Sequence, residues 1–206
     1  MTPPPLSFTH THARFARRYF SPQVFRQANL AGFASITAEI IDTVRDRNIN
    51  KITELYAGVG CIGLTVFTEL SDQLEYVRCS DENVNNKRSF ELSVASMEGK
   101  GLEKKLSYRS MAAGDALKAG EGDGCECLIV DPPRAGLSAD VCEHLVGGGL
   151  KECKTLIYVS CGFDALARDL EVLLKGESGW TIDSAKGFLL FPGSNHVETL
   201  VVLSRK

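Results

Sequence analysis

The chain has no run of about eighteen consecutive apolar residues, the length a membrane-spanning helix needs, so no span is expected. It opens Met1-Thr2-Pro3-Pro4-Pro5, without the apolar core of a secretory signal. Internal repeats and low-complexity tracts are missing. Cys125-Glu126-Cys127 has no second pair at ligand spacing, so no metal is expected. The seven cysteines are odd in number and scattered through apolar stretches, which argues against a disulfide framework. Reduced thiols in a cytoplasmic or organellar compartment are expected. An excess of positive charge is also missing: the net charge is −3. A nucleic-acid partner therefore requires a local basic face. The first 26 residues contain no acid and carry Arg14, Arg17, Arg18 and Arg26, so they qualify as a basic arm or a residual organelle-targeting piece.

What is present fits one large α/β domain of 206 residues. Residues 1–21 read as an irregular basic arm and residues 22–206 as the folded domain. A helix is expected over 30–46, where Phe33, Ile36, Ile40, Ile41 and Val44 recur at helical spacing. Strands are expected at 52–56, 74–80, 106–109, 127–130 and 155–159. Helices are expected at 62–70, 82–97, 139–146 and 165–175. Gly99 and Gly101 break the helix over 82–97. An antiparallel pair, 180–191 and 197–203, closes the chain through Pro192-Gly193-Ser194-Asn195. The alternation implies a doubly wound, mostly parallel seven-stranded sheet with a C-terminal antiparallel hairpin. Ligands in such sheets bind beyond the carboxyl ends of the strands.

The polar punctuation falls at those ends. Glu54-Leu55-Tyr56-Ala57-Gly58-Val59-Gly60 ends a strand in an acid and a glycine turn, then opens a helix. Glycine lets a ligand approach the backbone closely, and the helix start leaves N–H groups free. The acid precedes the glycines, which suits a ligand with a positive end better than a pyrophosphate. Asp81 ends the second strand, where an acid binds ribose hydroxyls, caps the next helix, or does both. Asp131-Pro132-Pro133-Arg134 follows a wholly apolar strand, and its prolines fix the backbone that carries the Asp131 carboxylate. Cys161 sits at the mouth of the sheet, either as a small hydrophobe or as a thiolate nucleophile if its pKa falls. Glu198 is a carboxylate in an otherwise apolar strand, either outward-facing or held there for chemistry.

Phe25-Arg26-Gln27-Ala28-Asn29, Glu54 to Gly60, Asp131 to Leu137, Tyr158-Val159-Ser160-Cys161, and Phe191-Pro192 with His196-Val197-Glu198 together resemble the RNA uracil-5-methyltransferase family. The resemblance spans nearly the whole chain in the family's order. It implies a Rossmann-like methyltransferase domain that uses S-adenosyl-L-methionine to methylate carbon 5 of an unstacked uridine in tRNA or rRNA. By the resemblance Gln27, Tyr56, Gly58, Asp81 and Asp131 are cofactor or active-site contacts, Cys161 the nucleophile and Glu198 the base.

The chain departs from the family pattern in three ways. Gly162-Phe163 stands where Asn-Pro is usual, and Cys61 where many members carry Asn. The RNA-binding barrel and the iron–sulfur cysteine cluster of many members are not in the sequence. Arg14, Arg17, Arg18 and Arg26 are then candidates for phosphate contacts. Two other readings stand beside the first: methyl transfer to an exocyclic base amine through Asp131-Pro132-Pro133, and a non-catalytic cofactor- or RNA-binding remnant.

Overall fold

The computed structural model describes residues 6–8, 18–97, 101–175, 178–191, 193 and 197–206. Arg14, Arg17, Gly99, Pro192, Ser194, Asn195 and His196, all named above, lie outside the described residues. Within the stretch expected to be irregular, β1 (Leu6–Phe8) and β2 (Arg18–Phe20) pair antiparallel.

The elements that follow are α1 (Leu30–Asp46), β3 (Lys51–Leu55), α2 (Cys61–Glu69), β4 (Tyr76–Asp81) and α3 (Val84–Ala95). Next come α4 (Leu102–Lys105), β5 (Leu106–Ser110), α5 (Ala113–Lys118), β6 (Cys127–Val130) and α6 (Ala139–Val146). The chain ends with β7 (Thr155–Ser160), α7 (Phe163–Leu174), β8 (Thr181–Phe188) and β9 (Glu198–Ser204). Seven strands form one sheet in the order β5-β4-β3-β6-β7-β9-β8. The first five in that order run parallel, and β9 pairs antiparallel with both of its neighbours, β7 and β8.

Period-two alternation splits the core into two layers. Ile52, Ile129, Ile157 and Leu200 face one layer with Ile36, Ile40 and Phe67 of α1 and α2. Leu55, Leu128, Leu156 and Val201 face the other, with Ala116, Leu145 and Leu173 of α5, α6 and α7. The central strands are covered on both sides, so every residue of β6 and β7 is buried, whereas β8 at the edge stays largely exposed. From β3 the order runs through β4 to β5 on one side and through β6 to β7 on the other. The switch point, and hence the crevice, lies beyond the ends of β3 and β6.

Three boundaries differ from expectation for local reasons. Tyr56, expected as the end of a strand, has φ +56 and turns the chain out of β3. Leu74 N–H donates to Leu70 C=O at 2.9 Å, closing the end of α2, so β4 starts only at Tyr76. β8 stops at Phe188 rather than 191, because the Asn29 Nδ2 donates to the Leu190 carbonyl at 2.6 Å. The same Asn29 caps α1 by accepting from Gly32 N–H at 2.9 Å. α4 and α5 are additional to the expected elements. Among the described residues no helix is long and apolar enough to cross a membrane.

Candidate active site

The turn after β3 is built by left-handed backbone. Tyr56, Gly58 and Gly60 have φ +56, +55 and +78. A Cβ on Gly58 would meet nothing within 4 Å, so this backbone borders open space. A Cβ on Gly60 would strike the Phe90 ring at 2.6 Å. The two glycines therefore differ in purpose: one leaves room for something to approach, the other for packing.

Asp81 is wired to that turn. Its Oδ2 accepts from Gly58 N–H at 3.0 Å, and its Oδ1 accepts from Asn83 N–H and Asn86 Nδ2, each at 2.9 Å. Tyr108 Oη donates to the Gly58 carbonyl at 2.5 Å and holds the turn from β5. The Tyr56 hydroxyl accepts from Ser138 N–H at 3.2 Å, at the start of α6. Asp81 is thus both a local anchor and a carboxylate on the rim beside the glycine turn.

Glu54 points inward, contrary to its reading as an acid that meets a ligand. It is 1% exposed, and its Oε2 accepts from Gly63 N–H at 2.9 Å and from the Cys79 thiol at 3.2 Å. Burial pushes its pKa up to about 7 against those two hydrogen bonds, with the Asp81 charge adding to the rise. Cys61 opens α2, and burial pushes its thiol up to about 12, opposed by the Arg18 charge. Arg18 itself is buried and reaches Thr65 and Thr68 of α2 from β2.

On the other side of the switch point, Cys161 and Glu198 come together. The β7–β9 ladder pairs Ser160 with Thr199. One further step of that register sets Cys161 opposite Glu198, and opposed positions bring Cβ atoms to roughly 4.5–5.5 Å on one face. The electrostatics agree. Burial raises the Cys161 thiol pKa, the Glu198 and Asp131 charges raise it further, and Arg134 opposes them. Asp131 is held well above the usual carboxylate range by burial, then by Glu198 and Glu54. Glu198 is raised by burial and drawn back by Arg134. Asp131, Arg134, Cys161 and Glu198 therefore occupy one neighbourhood. The thiol pKa moves up, opposite to the fall that a resting thiolate requires.

A cavity of about 710 Å³ opens beside this group, lined by Arg134, Cys161, Gly162, Phe163, Lys186 and Thr199 among others. Gln27 turns back on its own backbone, where its Oε1 accepts from Ala28 N–H at 3.0 Å. The segment's tie to the hairpin runs instead through Asn29 and Leu190.

Three residues that act on the site carried no assigned role in the sequence. Arg134 was part of a motif, yet only its neighbours in space give it a function. Asp169, 2% exposed, accepts from Leu137 N–H and the Tyr158 hydroxyl, each at 2.7 Å, and thereby moors the 131–137 loop to β7 and α7. Gly162 lets that loop approach: a Cβ there would stand 2.7 Å from the Arg134 carbonyl oxygen.

Residues 13–206 match the family model described as tRNA (Uracil-5-)-methyltransferase. An uncharacterized RNA methyltransferase of Protochlamydia amoebophila is 33% identical over 186 residues, covering 90% of this chain and 45% of that protein. The 23S rRNA (uracil(747)-C(5))-methyltransferase RlmC of Yersinia pestis is 27% identical, again over 90% of this chain and 45% of the relative. The chain thus spans less than half the length of these curated relatives. The solved SAM-dependent methyltransferase of Agrobacterium tumefaciens shares the fold, with a TM-score of 0.66 at 11% identity over 98% of this chain and 70% of the other. With the match running over nearly its whole length, the chain belongs to the tRNA (uracil-5-)-methyltransferase family.

Proposed function

We propose that this chain is the catalytic domain of an RNA uracil-5-methyltransferase, acting on an unstacked uridine of tRNA or rRNA with S-adenosyl-L-methionine as cofactor. The observation that carries the reading is that the β7–β9 ladder ends in the Ser160–Thr199 pair, one residue short of Cys161 on one strand and of Glu198 on the other. Asp131 and Arg134 sit in the same electrostatic neighbourhood.

The glycine turn fits the cofactor. Gly58 presents backbone to open space, Asp81 offers a carboxylate for ribose hydroxyls beside it, and α2 begins there without a side-chain cap at Gly60. S-adenosyl-L-methionine supplies an electrophilic methyl group. The chain's own residues do the rest. Uracil carbon 5 is a weak nucleophile, and addition of the Cys161 sulfur at carbon 6 makes it an enolate carbon. The thiol proton passes to the Asp131 carboxylate, whose raised pKa makes it an able acceptor, and Glu198 stays ionised for the later step. After methylation Glu198 removes the carbon 5 proton, and elimination frees the cysteine. Arg134 steadies the negative charge that these steps gather. The target base must leave any stack to reach the pocket.

The test is transfer of labelled methyl to RNA, followed by mass spectrometry of the digested nucleosides. Label in 5-methyluridine, its loss in Cys161→Ala, and a protein–RNA adduct trapped by Glu198→Gln are the expected results. Methyl on a base nitrogen with Cys161→Ala still active would establish the exocyclic-amine reading. Cofactor binding without turnover would point to the remnant.

A further inference from the structure

Phe163 opens α7 two residues beyond Cys161. Its side chain is 67% exposed, a costly position for a phenyl ring without a partner. The buried stripe of α7 begins only one turn on, at Leu166, so packing within the domain does not explain the ring. Phe163 lines the cavity that Cys161 also lines. At about 710 Å³ that cavity lies in the range that holds ligands larger than one pyrimidine, roughly 300–1,000 Å³. It has room for a second ring beside a base over the sulfur. Its walls carry Arg134 and Lys186 against one anion, Asp164. Lys186 meets Glu39 at 2.6 Å in a largely exposed pair, and such pairs are weak enough to yield to a phosphate.

We propose that Phe163 is the stacking platform for the nucleobase next to the target uridine in single-stranded RNA, with Arg134 and Lys186 flanking the intervening phosphate. The inference rests on the RNA uracil reading and deepens it. A π-face accepts any base, so the subsite grips unpaired RNA without reading its sequence. Stacking also helps keep the target base out of its own stack.

The test compares the wild-type chain with Phe163→Ala and Phe163→Trp. Fluorescein-labelled oligouridine reports binding by anisotropy, and total RNA serves as methyl acceptor. Phe163→Ala is expected to weaken oligouridine binding and raise KM for RNA about tenfold, with kcat and calorimetric cofactor affinity unchanged. Phe163→Trp is expected to restore both, and oligouridine is expected to quench its emission. Native Trp180 is buried at 3% exposure and provides the silent baseline. Unchanged KM in Phe163→Ala, or emission of Phe163→Trp indifferent to oligouridine, overturns the stacking role while methylation by the wild type stands. A wild-type chain that forms no 5-methyluridine overturns the parent reading and the inference together.

Discussion

Gly162 approaches Arg134 so closely that a Cβ on the glycine would lie 2.7 Å from the Arg134 carbonyl oxygen and 3.3 Å from its Cα. Both neighbours are backbone, so neither yields by rotating a side chain. The asparagine usual in the family pattern at position 162 thus requires the 131–137 loop to move. Gly162→Asn is expected to lower kcat at least tenfold by displacing Arg134 and Asp131. Cofactor affinity, which the proposed function assigns to the turn beyond β3, should be unchanged. Steady-state kinetics beside calorimetric titration separates the two; an active Gly162→Asn would mean the loop adjusts freely.

The Cys161 thiol sets the second expectation. Its pKa is raised by burial and by the Glu198 and Asp131 charges, so little thiolate exists at neutral pH. The rate constant kcat/KM should climb with pH into the alkaline range. Arg134 lowers both Cys161 and Glu198. Removing its charge in Arg134→Gln should therefore move the rising limb to higher pH as well as slow the reaction. A limb that stays in place under this substitution would detach Arg134 from the thiol.

Much of this arrangement was legible in the chain, and the parts that were not share a physical cause. The helix over 30–46, the helix over 139–146 and the strand over 127–130 emerge with the expected bounds, because each carries its own periodicity or apolar run. α5 escaped notice: it has six residues, contains Gly114 and lacks a side-chain cap. Asp169 looks like any acid on an amphipathic helix until the fold places Leu137 and Tyr158 around it. Cys161 and Glu198 could each be singled out, but their proximity depends on β9 docking antiparallel to β7, a non-local pairing that no local pattern encodes. Glu54 misled for the converse reason. Its position before the glycines is right for a ligand contact, yet its side chain turns inward to Gly63 and Cys79.

The two glycines of the turn should respond differently to a methyl group. Both have positive φ, which costs an alanine about 1–2 kcal/mol. At Gly58 the added Cβ meets open space. Gly58→Ala should unfold only a few degrees lower, yet lose cofactor affinity at least tenfold, because the methyl occupies the approach. At Gly60 the Cβ collides with Phe90, adding about 1–3 kcal/mol of overpacking to the backbone cost. Gly60→Ala should lose far more stability. Thermal unfolding with and without cofactor distinguishes the pair. Equal loss of stability in both variants would remove the distinction drawn between them.

Glu54 gives the fold a pH dependence of its own. Its carboxyl is raised from the ordinary 4.5 to about 7, chiefly by burial. Between those values the folded chain holds a proton that the unfolded chain has released, so this group's contribution is fullest below about 4.5 and is lost as pH rises through about 7. At about 1.36 kcal/mol for each pH unit across that window, the loss is on the order of 3 kcal/mol. Glu54→Gln keeps an oxygen to accept from Gly63 N–H but cannot ionise. Urea unfolding from pH 4.5 to 8 should show wild-type stability falling relative to Glu54→Gln, with the gap opening below pH 7 and levelling above it. Parallel curves would mean that the buried carboxyl keeps its ordinary pKa. The hydrogen bonds from Gly63 and Cys79 would then outweigh the burial that surrounds them.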